Sequence, residues 1–235
     1  MHPAVTIVIP LLFDADAASA LLASLSPRLD VEVIVVDGAA DPRLEAIVAA
    51  HGSAVLLRAA PGRARQMNAG AATGAGEWLL FLHADSTLPA GWLPAIAGLD
   101  NEVIGGWFRF ALDDSAWQAR IIERLTAWRV KHLNLPYGDQ GLFVRRRAFE
   151  QLGGFRELPL MEDVEFARRL VRAGRVASLP LPLRTSARRW RRDGWFRRSM
   201  KNLVLVGLYF LGVRPERLAR WYLPSTPNSQ LPTPK

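Results

Sequence analysis

The chain has 235 residues, half of them apolar, enough to bury the core of one large α/β domain, so disorder is not the default reading. It has no cysteine, which excludes disulfide frameworks, thiolate zinc sites and cysteine nucleophiles. The formal net charge is +8, but eight cations and one anion fall between Arg184 and Lys201, leaving the rest at +1. That pattern does not fit a uniformly basic nucleic-acid binder and does fit a local patch for phosphates or an anionic membrane surface.

Residues 5–10 form a β-branched apolar run ended by Pro10, and residues 31–36 a second, ended by Asp37 and Gly38; both read as strands. Their apolarity is continuous rather than alternating, which predicts cover on both faces. Residues 14–25 between them carry apolar side chains at helical spacing. The alternation continues with 42–50 as helix, 54–58 as strand, 63–73 as helix and 77–82 as strand. Four strands alternating with three helices predict a parallel sheet with right-handed crossovers. Ligands of such sheets bind beyond the carboxyl ends of the strands, here near Pro10, Asp37, Arg58 and His83.

After Pro89 the regular alternation ends. Residues 103–112 read as a strand with a break at Gly105-Gly106, and 115–132 as a long helix rich in tryptophan and arginine. Residues 136–140 are loop, 141–145 a short strand, 146–152 a short helix, 162–173 a helix stopped by Gly174, and 175–179 a closing strand. The eleven-residue apolar run 203–213 is too short to span a bilayer, which needs about 20 apolar residues. It is either a core helix or an interfacial one whose arginines face lipid headgroups. Residues 224–235 are polar and proline-rich, and the expectation is a disordered tail. No secretory signal opens the sequence, so the expected location is cytoplasmic.

Four stretches carry candidate chemistry. Phe81-Leu82-His83-Ala84-Asp85 delivers a histidine and an aspartate to the end of a strand, where both can hold a divalent ion against a diphosphate; alternatively, Asp85 caps a helix starting at Ser86. Asp37-Gly38 offers a carboxylate to a base or ribose, or simply forms a turn. The 62–70 segment sets Arg63 and Arg65 at a helix N-terminus suited to phosphate, or is an exposed helix start. Met161-Glu162-Asp163-Val164-Glu165 supplies a carboxylate for general-base work, or places acids where a helix dipole favours them.

In this order and spacing the four stretches resemble glycosyltransferase family 2, the inverting enzymes with the GT-A nucleotide-diphospho-sugar fold. Thr6-Ile7-Val8-Ile9-Pro10 looks like the family's first strand, Val36-Asp37-Gly38 like its base-binding turn, and 63–70 like its basic-Asn-x-Gly helix. His83-Ala84-Asp85 matches the metal-binding Asp-x-Asp, and Tyr137-Gly138-Asp139-Gln140-Gly141 with Gly153-Gly154-Phe155 the acceptor-side loop. Glu162-Asp163 matches the pair carrying the catalytic base. The phrases 81–85, 136–141 and Ala187-Arg188-Arg189-Trp190 further resemble a short bacterial subfamily named for arsenosugar biosynthesis. The likeness spans about residues 5–192.

The resemblance implies an α/β GT-A fold with a mostly parallel sheet and a C-terminal helical extension. It implies one domain over 1–223, with a donor half (1–88), an acceptor half (89–192) and closing helices (193–223). It also implies a nucleotide-diphospho-sugar donor, a hydroxyl acceptor and a Mn²⁺ or Mg²⁺ ion on Asp85 and His83. Asp163, with Glu162, would act as base. Pro10, Asp37, Arg63, Asn68, His83, Ala84, Asp85 and Arg189 would bind the donor, and Asp139, Gln140 and Trp190 the acceptor. The basic C-terminal segment would touch the inner face of a membrane. The chain departs from the family pattern at Phe13-Asp14 in place of Asn-Glu and at Asp37-Gly38-Ala39-Ala40-Asp41 in place of Asp-Asp-Gly-Ser. His83 replaces the first Asp of Asp-x-Asp, and Ser186-Ala187-Arg188-Arg189-Trp190 lacks the glutamine of processive relatives. A nucleotidyltransferase and a non-catalytic membrane-surface protein are the competing readings.

Overall fold

A computed structural model describes residues 3–222, so the tail at 224–235 lies outside the described residues. The first half alternates as expected: β1 (Val5–Leu11), α1 (Ala15–Ser24), β2 (Val31–Asp37), α2 (Arg43–His51), β3 (Ala54–Arg58), α3 (Arg63–Thr73) and β4 (Trp78–Phe81). There follow β5 (Ser86–Thr87), α4 (Trp92–Ala97), β6 (Val103–Leu112), α5 (Trp117–Leu133), a 3₁₀ turn at Gly138–Gln140, β7 (Leu142–Arg145), α6 (Arg146–Gln151), α7 (Glu162–Ala173) and β8 (Arg175–Thr185). The helices α8 (Arg188–Asp193), α9 (Trp195–Phe210) and α10 (Pro215–Tyr222) close the described chain.

All eight strands join one sheet in the order β3-β2-β1-β4-β7-β6-β8-β5. The pairs β1–β2, β1–β4 and β2–β3 are parallel, which is what helical crossovers impose. β7 runs antiparallel to both β4 and β6, and joins the second half of the chain to the first through one continuous sheet. Continuous apolarity in β1 and β2 has the expected cause. Ile7 and Ile9 face a core built with α1, α2 and α4, while Val8 faces another built with α3, α6 and α7. Two smaller clusters dock the last helices: Phe110, Ile122 and Trp190 under α8, and Val164, Leu205 and Leu218 between α7, α9 and α10.

Three local expectations are corrected. Gly105-Gly106 does not break β6; a Cβ at Gly106 would lie 2.0 Å from the Ala177 carbonyl oxygen, so the glycines let β8 and β7 pack close to the strand. The strand begun at Arg175 runs on to Thr185, because a register shift opposite Phe108 and Arg109 absorbs Pro180. Ser86 starts no helix: it pairs with Thr185 in an antiparallel bridge, and the next helix waits until Trp92. As the basic start after Asp193 suggests, the apolar residues 203–210 belong to a helix that begins at Trp195. No helix among the described residues is long and apolar enough to cross a membrane.

Candidate active site

The sheet brings the predicted segments together at the carboxyl ends of β1 and β4. Leu82 is the last residue on the ladder, its N–H donating to the Val8 carbonyl (3.0 Å). The chain then turns, with the Ser86 N–H on the His83 carbonyl (3.1 Å) and the Ser186 N–H on the Asp85 carbonyl (2.9 Å). This pins His83 and Asp85 between the end of β1 and the end of β8. Into the same cleft come Arg63 from the start of α3, Asp139 from the 3₁₀ turn, Glu162 and Asp163 from the first turn of α7, and Arg189 from α8. Pro10 lines its inner end beside Phe81 and His83.

Two guanidiniums enter the cleft. Arg63 and Arg189 lie close enough to His83 that their charges, after burial, hold its imidazole well below the ordinary histidine range, so the ring is neutral. Its Nε2 is buried and has no partner among the described residues. Four carboxyl groups line the same cleft. Burial pushes Asp139 up to about 6, with Asp163 and Asp85 adding to the rise against Arg129 and Arg63, and its Oδ1 is likewise unpartnered. Burial and the neighbouring Asp163 push Glu162 up to about 7, offset in part by Arg63, whose Nε sits 3.6 Å from Glu162 Oε1. Asp163 is more open; its Oδ2 accepts the Gly138 N–H at 2.6 Å and its Oδ1 the Val164 N–H at 2.8 Å.

Five predicted residues serve other tasks in the fold. The Asp37 carboxylate is 1 % exposed and accepts the N–H groups of Ala39 (2.8 Å) and Asp41 (2.9 Å), so it organises the turn after β2 instead of facing the cleft. Asn68 exchanges two hydrogen bonds with the Phe155 backbone, at 2.8 and 2.9 Å, and staples the 153–155 loop to α3. Ala84 packs on the core. Gln140 is buried, donates to the Phe108 carbonyl (3.1 Å) and accepts the Tyr137 N–H (3.3 Å), holding the 3₁₀ turn on β6. Trp190 borders the cleft, yet its ring packs on Phe110, its Nε1 donates to Ser199 Oγ (3.2 Å) and the Arg198 guanidinium covers it at 5.1 Å.

Three contributors were not singled out from sequence. Gly138 has no room for a side chain: a Cβ there would lie 2.9 Å from Asp163 Oδ2, 3.1 Å from His83 Nε2 and 3.3 Å from an Arg63 nitrogen. Its place between a tyrosine and an aspartate was the available signal. Arg129 stacks 3.4 Å from the Tyr137 ring centroid and supports the loop from behind. Asn202, Leu205 and Val206 of α9 close the outer side of the cleft, a role that sequence spacing does not carry.

The family model described as Glycosyl transferase family 2 matches residues 6–153. No curated protein matches the chain. Among solved structures, a mannosyltransferase from Pyrobaculum calidifontis in complex with GDP-Man and Mn²⁺ is 18 % identical with a TM-score of 0.58, over 79 % of this chain and 57 % of that one. S. aureus TarS 1–349 is 18 % identical with a TM-score of 0.60, over 88 % and 65 %, and its complex with UDP-GlcNAc 17 % identical with a TM-score of 0.60, over 79 % and 58 %. The chain thus spans less than two thirds of each of these structures, which share its fold.

Proposed function

The chain belongs to glycosyltransferase family 2 and has its GT-A fold, and from that we propose an enzyme that moves a sugar from a nucleotide-diphospho-sugar to an acceptor hydroxyl with inversion. The observation that carries the reading is the meeting of two guanidiniums (Arg63, Arg189), a neutral imidazole (His83) and four carboxyl groups (Asp85, Asp139, Glu162, Asp163) in one cleft. A diphosphate fits the guanidiniums and proton abstraction needs a carboxylate. Neighbours solved with GDP-Man and with UDP-GlcNAc support the donor class. Family membership favours transfer of a sugar over transfer of a nucleotidyl group.

Asp163 is the base in this reading. It is the more open acid of the pair, and two backbone N–H groups hold its carboxylate in place at the cleft. Glu162, buried against Arg63, keeps that guanidinium at the cleft. Arg63 and Arg189 stabilise charge as it grows on the leaving diphosphate. The acceptor approaches from the α7 and α9 side, opposite the phosphates, which yields the inverted anomer.

The donor set suits a divalent cation. Among the described residues no group of three or more His, Asp or Glu is disposed to hold a metal by itself. Mg²⁺ and Mn²⁺, however, take only one or two carboxylates when phosphates complete their shell, and Asp85 beside the unpartnered His83 Nε2 fits that demand. Asp85, with His83, would hold the ion, which when bound neutralises diphosphate charge. A thermal-shift screen of nucleoside diphosphates with and without Mn²⁺ tests the whole reading, since a ligand of the folded state raises Tm. The expected result is a shift with one nucleotide that grows with Mn²⁺; no shift with any of them rules the reading out.

A further inference from the structure

The helix α9 has two different faces. Asn202, Leu205 and Val206 look into the cleft, and Leu205 and Val206 pack in the cluster that holds α9 on α7. On the opposite face Phe196, Met200, Leu203 and Val204 recur at helical spacing, and each is half or more exposed. The exposed ring of Phe196 meets that of Trp117 on α5 at 5.9 Å, and Trp117 is followed along α5 by the exposed Leu125 and Trp128. Two helices thus present apolar and aromatic side chains that meet at Phe196 and Trp117, where isolated surface apolars would need no explanation.

The strip is bordered by positive charge. Residues 188–222 contain ten arginines and lysines against Asp193 and Glu216, so this segment accounts for the whole formal net charge of +8. Asp193 is already paired with Arg192 and Arg198. Arg197 and Lys201 follow Phe196 and Met200 by one residue each, along one edge of the exposed face. A second copy of the chain set symmetrically on the strip would bring these cations against their own equivalents, which opposes it.

We infer that the α5–α9 strip docks on an anionic lipid bilayer, its apolar side chains entering the headgroup boundary and its arginines and lysines meeting lipid phosphates. Exposed tryptophan with flanking cations is the composition that favours this interface over either bulk phase. Because α9 is also a wall of the cleft, docking sets the cleft beside the bilayer. The inference goes beyond the transfer reaction and does not need a donor to be known.

Sedimentation of the whole chain with phosphatidylcholine vesicles, with and without phosphatidylglycerol, tests it. Binding is expected to the phosphatidylglycerol vesicles, to weaken as salt rises, and to fall about tenfold or more in a Phe196→Ser, Leu203→Ser double variant. Both side chains are exposed, so an unchanged Tm and unchanged nucleoside-diphosphate shift are expected to show that the variant is folded. No sedimentation with anionic vesicles, or equal sedimentation of the variant, overturns the inference. So does a dimer on gel filtration that the same two substitutions dissociate, since the strip would then belong to a second copy. Failure of the nucleotide shift with vesicle binding intact would count against the enzymatic reading alone.

Discussion

Asp163 Oδ2 accepts the Gly138 N–H at 2.6 Å, which ties the first turn of α7 to the loop carrying Asp139, 25 residues earlier. The acid proposed as base and the loop proposed for the acceptor therefore move as one unit. Replacing Asp163 by Asn keeps an oxygen for one of the two N–H groups it accepts and removes proton abstraction. kcat is expected to drop by about 10²–10⁴-fold while the donor Kd stays within about threefold. Calorimetry showing donor binding lost together with turnover would remove Asp163 from the role of base.

Gly138→Ala tests the same junction from the other side. The added Cβ would press on Asp163, His83 and Arg63 at 2.9 to 3.3 Å, so the cleft must widen while the two main cores are untouched. Activity is expected to fall about tenfold or more with Tm within a few degrees of the parent, since small displacements of reacting groups are disproportionately harmful. Full activity in this variant would mean that the three groups need not be close.

Asp85→Ala bears on the cation. If Asp85 helps to hold it, Mn²⁺ should tighten donor binding to the parent protein and have little effect on the variant, a loss of roughly tenfold or more in affinity. Titrations with Mn²⁺ and with chelator measure this directly. An undiminished Mn²⁺ effect would assign the ion to other residues.

Glu162 gives a pH signature. Its carboxyl ionises near 4.5 in an unfolded chain and near 7 in the fold, where burial and Asp163 oppose the charge. Between those values the unfolded chain has released a proton that the fold retains, so its contribution to stability is lost as pH rises through this window and is constant above it. Glu162→Gln removes the titration. Urea unfolding at about pH 5 and about pH 8 should show the parent losing roughly 1–3 kcal/mol more than the variant between the two. Equal losses would show that Glu162 ionises normally.

Much of this was legible in the chain. The first half is a local code: β-branched runs, helical apolar spacing and turn residues recur at intervals that admit only parallel strands with helical crossovers, and the strand ends then point to Pro10, Asp37, Arg58 and His83, of which Pro10 and His83 line the cleft while Arg58 pairs with Glu45. The acids at Glu162 and Asp163 were legible as a motif because their place at a helix start is also local. The 153–155 loop was less so: its position rests on Asn68, whose two bonds to Phe155 span 87 residues.

What the sequence determined by itself was the family pattern, the alternating half and the set of charged groups available for chemistry, because each depends on neighbours a few residues apart. Only the tertiary structure decided which polar groups face the cleft. Asp37, Asn68 and Gln140 each satisfy backbone groups nearby in space, and Trp190 is held by Phe110, Ser199 and Arg198, whereas His83 Nε2 and Asp139 Oδ1 are left without partners at the cleft. A side chain's orientation follows from which donors and acceptors folding brings within about 3 Å, and that is settled by contacts between distant stretches of chain.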